Sequence, residues 1–203
     1  MIKHEFSGKF IVIEGLDGSG KSSQVELLAE FLKNSGKEVI IRTEPTKDSE
    51  AGLTIRKILK GEVQATPLER QKLFVKDRTE HLEKIVIPAL KEGKFVVCSR
   101  YAFSTIAYGY SDGLEVAILK EMNNHFLLPD LTILIDVSPN ECIKRIEKRG
   151  QIKELFERKE KLIKVNEIYQ NLPKMFENIF VVSGEKSIEE VFESVRNIVN
   201  KIL

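Results

Sequence analysis

The residues best suited to chemistry lie at 15–22, where glycines alternate with polar side chains and end on a lysine and a serine. Read in order, this segment is Gly15, Leu16, Asp17, Gly18, Ser19, Gly20, Lys21 and Ser22. It matches the pattern G-x-x-x-x-G-K-[ST] at every position. The glycines let the backbone wrap with unusual φ values, so that successive N–H groups point into one concavity that binds an anion. The pattern therefore predicts a phosphate-binding loop.

The polar residues that close this loop have separate predicted roles. The Lys21 ammonium supplies a mobile charge for the β- and γ-phosphates of a nucleoside triphosphate, and the Ser22 hydroxyl is the predicted Mg²⁺ ligand. A helix that begins near Lys21 adds the positive end of its dipole. Because such loops serve GTPases, motors and ATPases as well as kinases, the loop alone does not identify a second substrate.

The elements that position this loop follow from the apolar pattern. Short β-branched runs predict strands at 10–14, 38–42, 95–99, 131–137 and 179–182. Helical patterns lie between and after them, at 21–34, 53–60, 67 to beyond 82, 114–124, 140–148, 157–172 and 188–202. Thr66 and Glu69 predict a capping box at the start of the third helix. Because the strands are continuous apolar runs, each is predicted to be covered on both faces. Strands that alternate with helices predict an α/β fold with a parallel sheet and right-handed crossovers. Since no repeat or low-complexity linker interrupts the pattern, residues 1–203 are predicted to form a single domain.

Composition excludes several classes of protein. The 203 residues are 42% hydrophobic and 31% charged, and 32 basic residues against 31 acidic ones leave a net charge of +1. No global field therefore points to nucleic acid or to a membrane surface. Cys98 and Cys142 lie in apolar contexts and are predicted to be buried free thiols. The N-terminus carries charges where a signal peptide needs an apolar core, which favours a cytoplasmic protein.

Beyond the loop, the sequence resembles the thymidylate kinase family. The matching segments are FIVIEGLDGSGKSSQ at 10–24, Glu-Pro at 44–45, LFVKDRTEHL at 73–82, SRYAFSTIAY at 99–108 and LLPDLTILIDVSP at 127–139. The resemblance implies a P-loop fold with a five-stranded parallel sheet, helices on both faces and a lid at about 145–160. It further implies ATP and Mg²⁺, dTMP as the phosphoryl acceptor with dTDP and ADP as products, and a homodimer.

The resemblance also implies roles for individual residues. Catalytic roles fall to Asp17, Lys21 and Arg100, and Arg149 would join the loop residues in binding ATP. The residues implied to contact the acceptor are Glu44, Phe74, Arg78, Arg100, Thr105 and Tyr108. Phe74 would stack on the pyrimidine, and Arg78, on the same helical face at i+4, would address the carbonyl oxygen that distinguishes thymine from cytosine. Arg100, at the carboxyl end of a strand, would clamp the acceptor phosphate.

Four of these roles have structural alternatives. Arg100 is also interpretable as a plain surface arginine. Phe74 is also interpretable as a core anchor, and Arg78 as the ion-pair partner of its helical neighbours on a solvated face. Tyr108 fits a place in the core as well as a place beside the deoxyribose. The sequence leaves both interpretations open for each residue.

Several positions depart from the family pattern. Ser99 stands where the family has aspartate, Thr43 stands where it has arginine, and Gly109 replaces a frequent glutamine. Arg42 lies one position early, so in a strand its side chain points to the opposite face from the family arginine. The loop lacks an internal arginine, so the lid is expected to supply one, from Arg149 or Arg158.

Two alternative functions remain open from the sequence. One is a kinase for another nucleotide or for a nucleoside. The other is a nucleotide-binding regulatory protein with little turnover, to which Ser99 and the altered lid would point. A nucleic-acid-binding ATPase is disfavoured by the balanced charge.

Overall fold

The chain forms one parallel sheet wrapped by helices. The structure is a computed structural model that describes residues 1–148 and 155–203, and within them the side chains of all residues except 155–158. In this described part the strands are β1 Lys9–Gly15, β2 Val39–Thr43, β3 Phe95–Ser99, β4 Leu131–Asp136 and β5 Ile179–Ser183. They lie in the order β2-β3-β1-β4-β5, and each neighbouring pair is parallel. The predicted α/β class is confirmed.

Helices connect the strands as the sequence pattern predicts, with the exception of α5, which was not predicted. They are α1 Lys21–Asn34, α2 Glu50–Leu59, α3 Pro67–His81, α4 Ile87–Lys91, α5 Ala102–Ser111, α6 Val116–Asn123, α7 Pro139–Lys148, α8 Leu155–Met175 and α9 Ile188–Val199. The predicted capping box is present at the start of α3, where the Thr66 hydroxyl accepts from the N–H of Glu69 and the Glu69 carboxylate accepts from the N–H of Thr66. This reciprocal pair satisfies two of the donors that a helix start leaves open.

The helix predicted to run beyond Leu82 does so with a change of winding. A π-helical turn at Leu82–Val86 joins α3 to α4. Pro88 lies in the first turn of α4, and because it has no N–H it cannot complete the α-helical ladder with the preceding turn. A wider turn in front of a proline accommodates this missing donor.

Apolar side chains pack on both faces of the sheet. Along β1, Ile11 and Ile13 join one buried cluster while Phe10 and Val12 join another, because successive side chains of a strand point to opposite faces. Cys98 and Cys142 are free and buried, as predicted. Among the helices of the described ranges, none is long and apolar enough to cross a bilayer.

One strand departs from the prediction that every strand is covered on both faces. β2 lies at the sheet edge, and the side chain of Ile41 is 45% exposed. The strand also begins and ends one residue later than predicted, at Val39 and Thr43. A short apolar run looks the same in a central strand and in an edge strand, so the order of strands decides its exposure.

Helix α5 was not predicted from the sequence, and the reason is structural. No side chain of its own N-terminus caps this helix. The cap comes from β1, where the buried Glu14 carboxylate accepts from the N–H groups of Tyr101 at 2.8 Å and Ser104 at 3.1 Å. A carboxylate at a helix N-terminus satisfies open donors and interacts favourably with the dipole. Because the cap is distant in sequence, no local signal marked the helix.

Candidate functional site

The candidate site is a cavity of about 420 Å³ at the carboxyl edge of the sheet. β1 lies between β3 and β4, and the chain leaves β1 towards β2 on the β3 side. Ligands of open α/β sheets bind where the strand order reverses in this way. The predicted site residues that line the cavity are Asp17, Gly18, Gly20, Lys21, Ser22, Glu44, Phe74, Arg78, Arg100, Thr105 and Tyr108. The sheet thus gathers residues from six parts of the chain around one space.

The loop between β1 and α1 has the geometry of a phosphate cradle. Gly15, Gly18 and Gly20 all have positive φ values, which L side chains rarely adopt. Leu16 and Ser19 are buried beneath the loop and do not line the cavity. α1 begins at Lys21, so its N-terminal N–H groups complete the cradle.

Lys21 lies inside this loop and is nearly buried. Its Nζ donates to the carbonyl oxygens of Gly15 at 3.0 Å and Leu16 at 2.6 Å. Burial, with a further contribution from the Arg100 guanidinium, lowers the pKa of Lys21 to about 7. Triphosphate oxygens beside the ammonium would raise this pKa again, because an opposite charge favours the charged form. We therefore expect nucleotide binding near neutral pH to be accompanied by proton uptake at Lys21.

Arg100 follows β3 in an unusual backbone conformation. Its φ is 69°, the only positive value at a non-glycine residue in the described ranges, and its N–H donates to the Ile13 carbonyl at 3.0 Å. The guanidinium donates to Asp17 at 2.6 Å, to the Ser104 hydroxyl at 2.8 Å and to the Tyr108 hydroxyl at 3.2 Å. Strained conformations of this kind persist where the surroundings hold them in place, often at functional sites.

Asp17 faces Arg100 from the loop, and 62% of its side chain is exposed. Partial loss of water around the carboxyl opposes its ionisation, but Arg100 and Lys21 together hold its pKa well below the usual range. Tyr108 donates its hydroxyl proton to the second Asp17 oxygen at 3.1 Å. Tyr108 lines the cavity and also packs against a buried apolar cluster, so its place beside the deoxyribose stays a prediction.

The buried Glu14 links these groups to α8. Besides capping α5, its carboxylate accepts from the Ser104 hydroxyl at 2.5 Å and from the Tyr169 hydroxyl at 3.0 Å. Both hydroxyls also contact Arg100, Ser104 at 2.8 Å and Tyr169 at 3.4 Å. Nothing in the local sequence marked Glu14 or Tyr169, because their role arises from contacts across three elements.

Arg78 is buried, so its interpretation as a residue on a solvated helix face is wrong. Only 1% of the residue is exposed. Its Nε and one terminal nitrogen donate to Glu44 at 2.9 and 2.7 Å, and it also donates to Thr105 at 2.7 Å and to Asn123. These bonds use four of the five guanidinium N–H groups, since an arginine carries five donors. The fifth donor has no partner among the described residues.

Glu44 serves as the anchor for Arg78. Burial raises the pKa of this carboxyl, but Arg78 and His81 more than offset that effect and hold the pKa below its usual value. His81 Nδ1 lies 2.9 Å from Glu44, while Arg42 Nε donates to His81 Nε2 at 3.3 Å. A nitrogen that accepts from arginine carries no proton, so Nδ1 is the donor to Glu44. The glutamate predicted to contact substrate thus has its oxygens committed to neighbouring side chains.

Several cavity residues were not predicted from the sequence. They are Thr43, Pro45, Arg56, Leu59, Arg70, Gln71, Ser99, Tyr101, Ser104, Asp112 and Lys161, together with Ser23. Asp112, at the end of α5, accepts from Arg70 of α3 and from Lys161 of α8, the latter at 2.8 Å. This cluster joins three helices at the cavity, and only their packing brings the charges together.

The predicted lid falls partly outside the described residues. α7 is described to Lys148 and α8 from Leu155. Arg149, predicted to bind ATP, and the side chain of Arg158 lie outside the described residues, as do residues 150–154 of the segment at about 145–160.

The cavity provides hard oxygen donors for a magnesium ion but no carboxylate cage. Ser22 is exposed at the first turn of α1, and Ser99 borders the same space from β3. In the described ranges no group of three His, Cys, Asp or Glu residues is placed to hold a metal. Mg²⁺ commonly keeps several waters and takes substrate phosphates as ligands. The residues present therefore fit a magnesium ion that arrives with a nucleotide.

Comparison with known proteins agrees with this geometry. The profile of the family described as Thymidylate kinase matches residues 13–195. A protein of Pyrococcus horikoshii named probable thymidylate kinase is 40% identical over 193 residues, covering 93% of this chain and 94% of the relative. A thymidylate kinase of Caldicellulosiruptor saccharolyticus is 36% identical over 207 residues, covering 97% and 98%. With its phosphate-binding loop, its cavity and these likenesses, the chain belongs to the thymidylate kinase family.

Proposed function

We propose that this chain transfers the γ-phosphoryl group of ATP to dTMP, which yields dTDP and ADP. The observation that carries the proposal is a single cavity lined both by the phosphate-binding loop and by the Phe74 and Arg78 pair. One space that holds a phosphate cradle and an aromatic-arginine pair brings two nucleotides together for direct transfer. The names of the relatives point to the same acceptor.

Transfer requires in-line positioning and compensation of charge rather than covalent chemistry by the protein. Lys21 would exchange its bonds to the loop carbonyls for bonds to the β- and γ-phosphates. The Arg100 fork, now held by Asp17, Ser104 and Tyr108, would clamp the acceptor phosphate from β3. Mg²⁺, held by Ser22 and the nucleotide, would compensate further phosphate charge.

At the base, Phe74 and Arg78 would recognise the pyrimidine. Phe74 is half-buried and lines the cavity, so its ring has a face for stacking. The fifth N–H of Arg78 would donate to the base carbonyl, while Thr105 beside it is already bonded to Arg78. Glu44 would hold Arg78 in place rather than contact the substrate itself.

An assay of ADP release against a panel of nucleoside monophosphates tests this proposal. We expect the highest kcat/KM for dTMP and much lower values of kcat/KM for dCMP and the purine monophosphates. If another nucleoside monophosphate has the highest kcat/KM, the chain is a kinase for that acceptor. Tight ATP binding with no ADP release for any acceptor would instead favour a regulatory protein.

We also propose that residues 1–203 act as one domain and that two copies form a homodimer. The resemblance to the family implies the dimer, and exposed apolar side chains on α2 and at the start of α3 support it. These are Leu53, Leu59 and Leu68, which are 49%, 59% and 42% exposed. Light scattering would show a mass of two chains, and a mass of one chain would contradict this proposal.

Arg78→Ala should narrow the preference for dTMP over dCMP by about 10-fold or more, because it removes the donor proposed for the base carbonyl. It should also destabilise the protein by about 3–5 kcal/mol, because Glu44 remains buried without its main partner. Kinetic selectivity and denaturant unfolding measure the two effects. Arg42→Ala, which removes an arginine from the same network but not from the cavity, is the control. Unchanged selectivity in Arg78→Ala would assign Arg78 a purely structural role.

Ser99→Asp should lower the Mg²⁺ concentration needed for half-maximal rate. Ser99 and Ser22 border both the main cavity and a second cavity of about 460 Å³. A carboxylate there would be a stronger hard-oxygen ligand than a neutral hydroxyl. Turnover is measured against free Mg²⁺ at saturating ATP and dTMP, with the remote Ser35→Asp as a control for added charge. Coincident curves for wild type and Ser99→Asp would show that Ser99 does not face the metal.

A further inference from the structure

Gln71 is a buried polar residue in the cavity with an unmet acceptor. It lies on α3, is 1% exposed and lines the cavity with Phe74 and Arg78. These residues follow at i+3 and i+7, so all three lie on one face of the helix. The carboxamide oxygen of Gln71 is buried and has no hydrogen-bond partner in the described part of the chain.

An unmet buried acceptor is costly, and native proteins seldom keep one without a reason. The terminal carboxamide has a broad torsion, so its oxygen and nitrogen can exchange places at little cost. A ligand in the cavity that carries an N–H group would therefore find an acceptor that no protein group uses. The partner of Gln71 is predicted to be a donor on the ligand.

Gly109 makes room for this carboxamide from the opposite helix. A Cβ at Gly109 of α5 would lie 2.8 Å from Gln71 Nε2 and 2.6 Å from Leu119 Cδ2. Approaches under 3.0 Å require a shift of the neighbouring atoms, so a larger residue at 109 would displace the Gln71 side chain or Leu119. The small residue on α5 and the long amide on α3 occupy the space as a complementary pair.

The polar side chains that neighbour Arg78 in the cavity are largely bonded to it. Arg78 has one free N–H for a carbonyl oxygen, and the Asn123 side-chain oxygen already accepts from Arg78. A thymine or uracil ring also presents N3–H, a donor that needs an acceptor. On the α3 face that carries Phe74 and Arg78, Gln71 supplies an acceptor that no described residue engages.

We propose that Gln71 recognises the N3–H of the pyrimidine through its carboxamide oxygen, and that residue 109 must be glycine to admit this side chain. This inference rests on the proposed function, because it takes a pyrimidine monophosphate as the ligand. Gln71 is thus a specificity-determining residue for the imide edge shared by thymine and uracil, and Arg78 reads the neighbouring carbonyl.

Binding of dTMP and of N3-methyl-dTMP, measured by calorimetry without ATP, tests the proposal. Wild type should bind dTMP at least about 10-fold more tightly, because the methyl group removes the donor and collides with the carboxamide. Gln71→Ala should weaken dTMP by about 10-fold and leave N3-methyl-dTMP as tight as in wild type or tighter. Gly109→Ala, whose Cβ would crowd both this carboxamide and Leu119, should also lower the ratio of the two affinities.

Gln24→Ala is the matched control. Gln24 is also buried with an unpartnered carboxamide oxygen, but it does not line the cavity, so its removal should not change the ratio. Equal weakening of both ligands by Gln71→Ala and Gly109→Ala would indicate a structural role and overturn the proposal, as would no change in either. If wild type binds no dTMP and phosphorylates none, the proposed function fails. If wild type uses dTMP but the ratio is unchanged in both variants, only the role of Gln71 fails.

Discussion

Lys21→Ala is expected to reduce turnover of dTMP by about 10³-fold or more, in line with the loss of other charge-stabilising donors in enzymes. The ammonium lies within the loop, where its bonds to the Gly15 and Leu16 carbonyls keep it beside the predicted phosphates. No other cationic side chain arises from this loop. Single-turnover measurements at saturating ATP and dTMP would separate the chemical step from binding.

The same substitution should not destabilise the nucleotide-free protein at neutral pH. The pKa of Lys21 is lowered to about 7 from an ordinary value of 10.5, so between these values the unfolded chain binds more protons than the folded one. The resulting penalty on folding is absent above pH 10.5, grows as pH falls and is complete below pH 7. In wild type the free energy of unfolding should therefore rise with pH between these two values, and in Lys21→Ala this rise should be absent.

Lys84→Ala is the control for Lys21→Ala, because Lys84 is an exposed lysine paired only with Glu80. Its activity and its pH slope should match wild type. A Lys21→Ala protein that turns over dTMP within a few-fold of wild type would overturn the role assigned to Lys21. An unchanged pH slope would show that the ammonium is not desolvated in the free protein.

Arg100→Ala is expected to lower kcat by about 10²–10³-fold, because the guanidinium is the clamp proposed for the acceptor phosphate. Arg100→Lys should recover only part of this loss, since an ammonium cannot make two parallel bonds to one phosphate. Arg196→Lys on α9, where the arginine pairs with Glu193 at the surface, should leave kcat unchanged. Full activity in Arg100→Lys would contradict the proposal that Arg100 makes two parallel bonds to the acceptor phosphate.

The backbone conformation at Arg100 allows a second, independent test, which compares the stability of two variants with their activity. Because its φ is 69°, a glycine there relieves strain that alanine retains, worth about 1 kcal/mol. Arg100→Gly should therefore be more stable than Arg100→Ala, while both are equally inactive. If activity instead follows stability across the two variants, Arg100 acts through the fold and not through its guanidinium.

Local patterns in the sequence were sufficient to predict the strands, the capping box and the phosphate-binding loop. Apolar runs and helical periodicity identified the strands to within a residue or two, because a central parallel strand is apolar on both faces. The capping box at Thr66 and Glu69 and the loop at residues 15–22 were recognisable because their chemistry is set by neighbours in sequence. The predictions for Lys21 and Arg100 as residues of one site remain to be tested by the variants above.

Contacts between distant segments decided the rest. α5 is capped by Glu14 of β1, so its local sequence lacked a start signal. Arg78 looked equally suited to a solvated face, and only packing against Glu44 and Asn123 shows that it is buried with a single donor free.

The sequence by itself determined the fold class, the phosphate-binding loop and the family, because each depends on residue types at fixed short spacings. The tertiary structure alone decided which side chains line the cavity together. Gln71 and Gly109 are 38 positions apart in the chain, and neither carries a signal on its own. Their relation appears only when α3 and α5 pack together, because hydrogen bonding and exclusion of volume depend on distances in space that spacing along the chain does not encode.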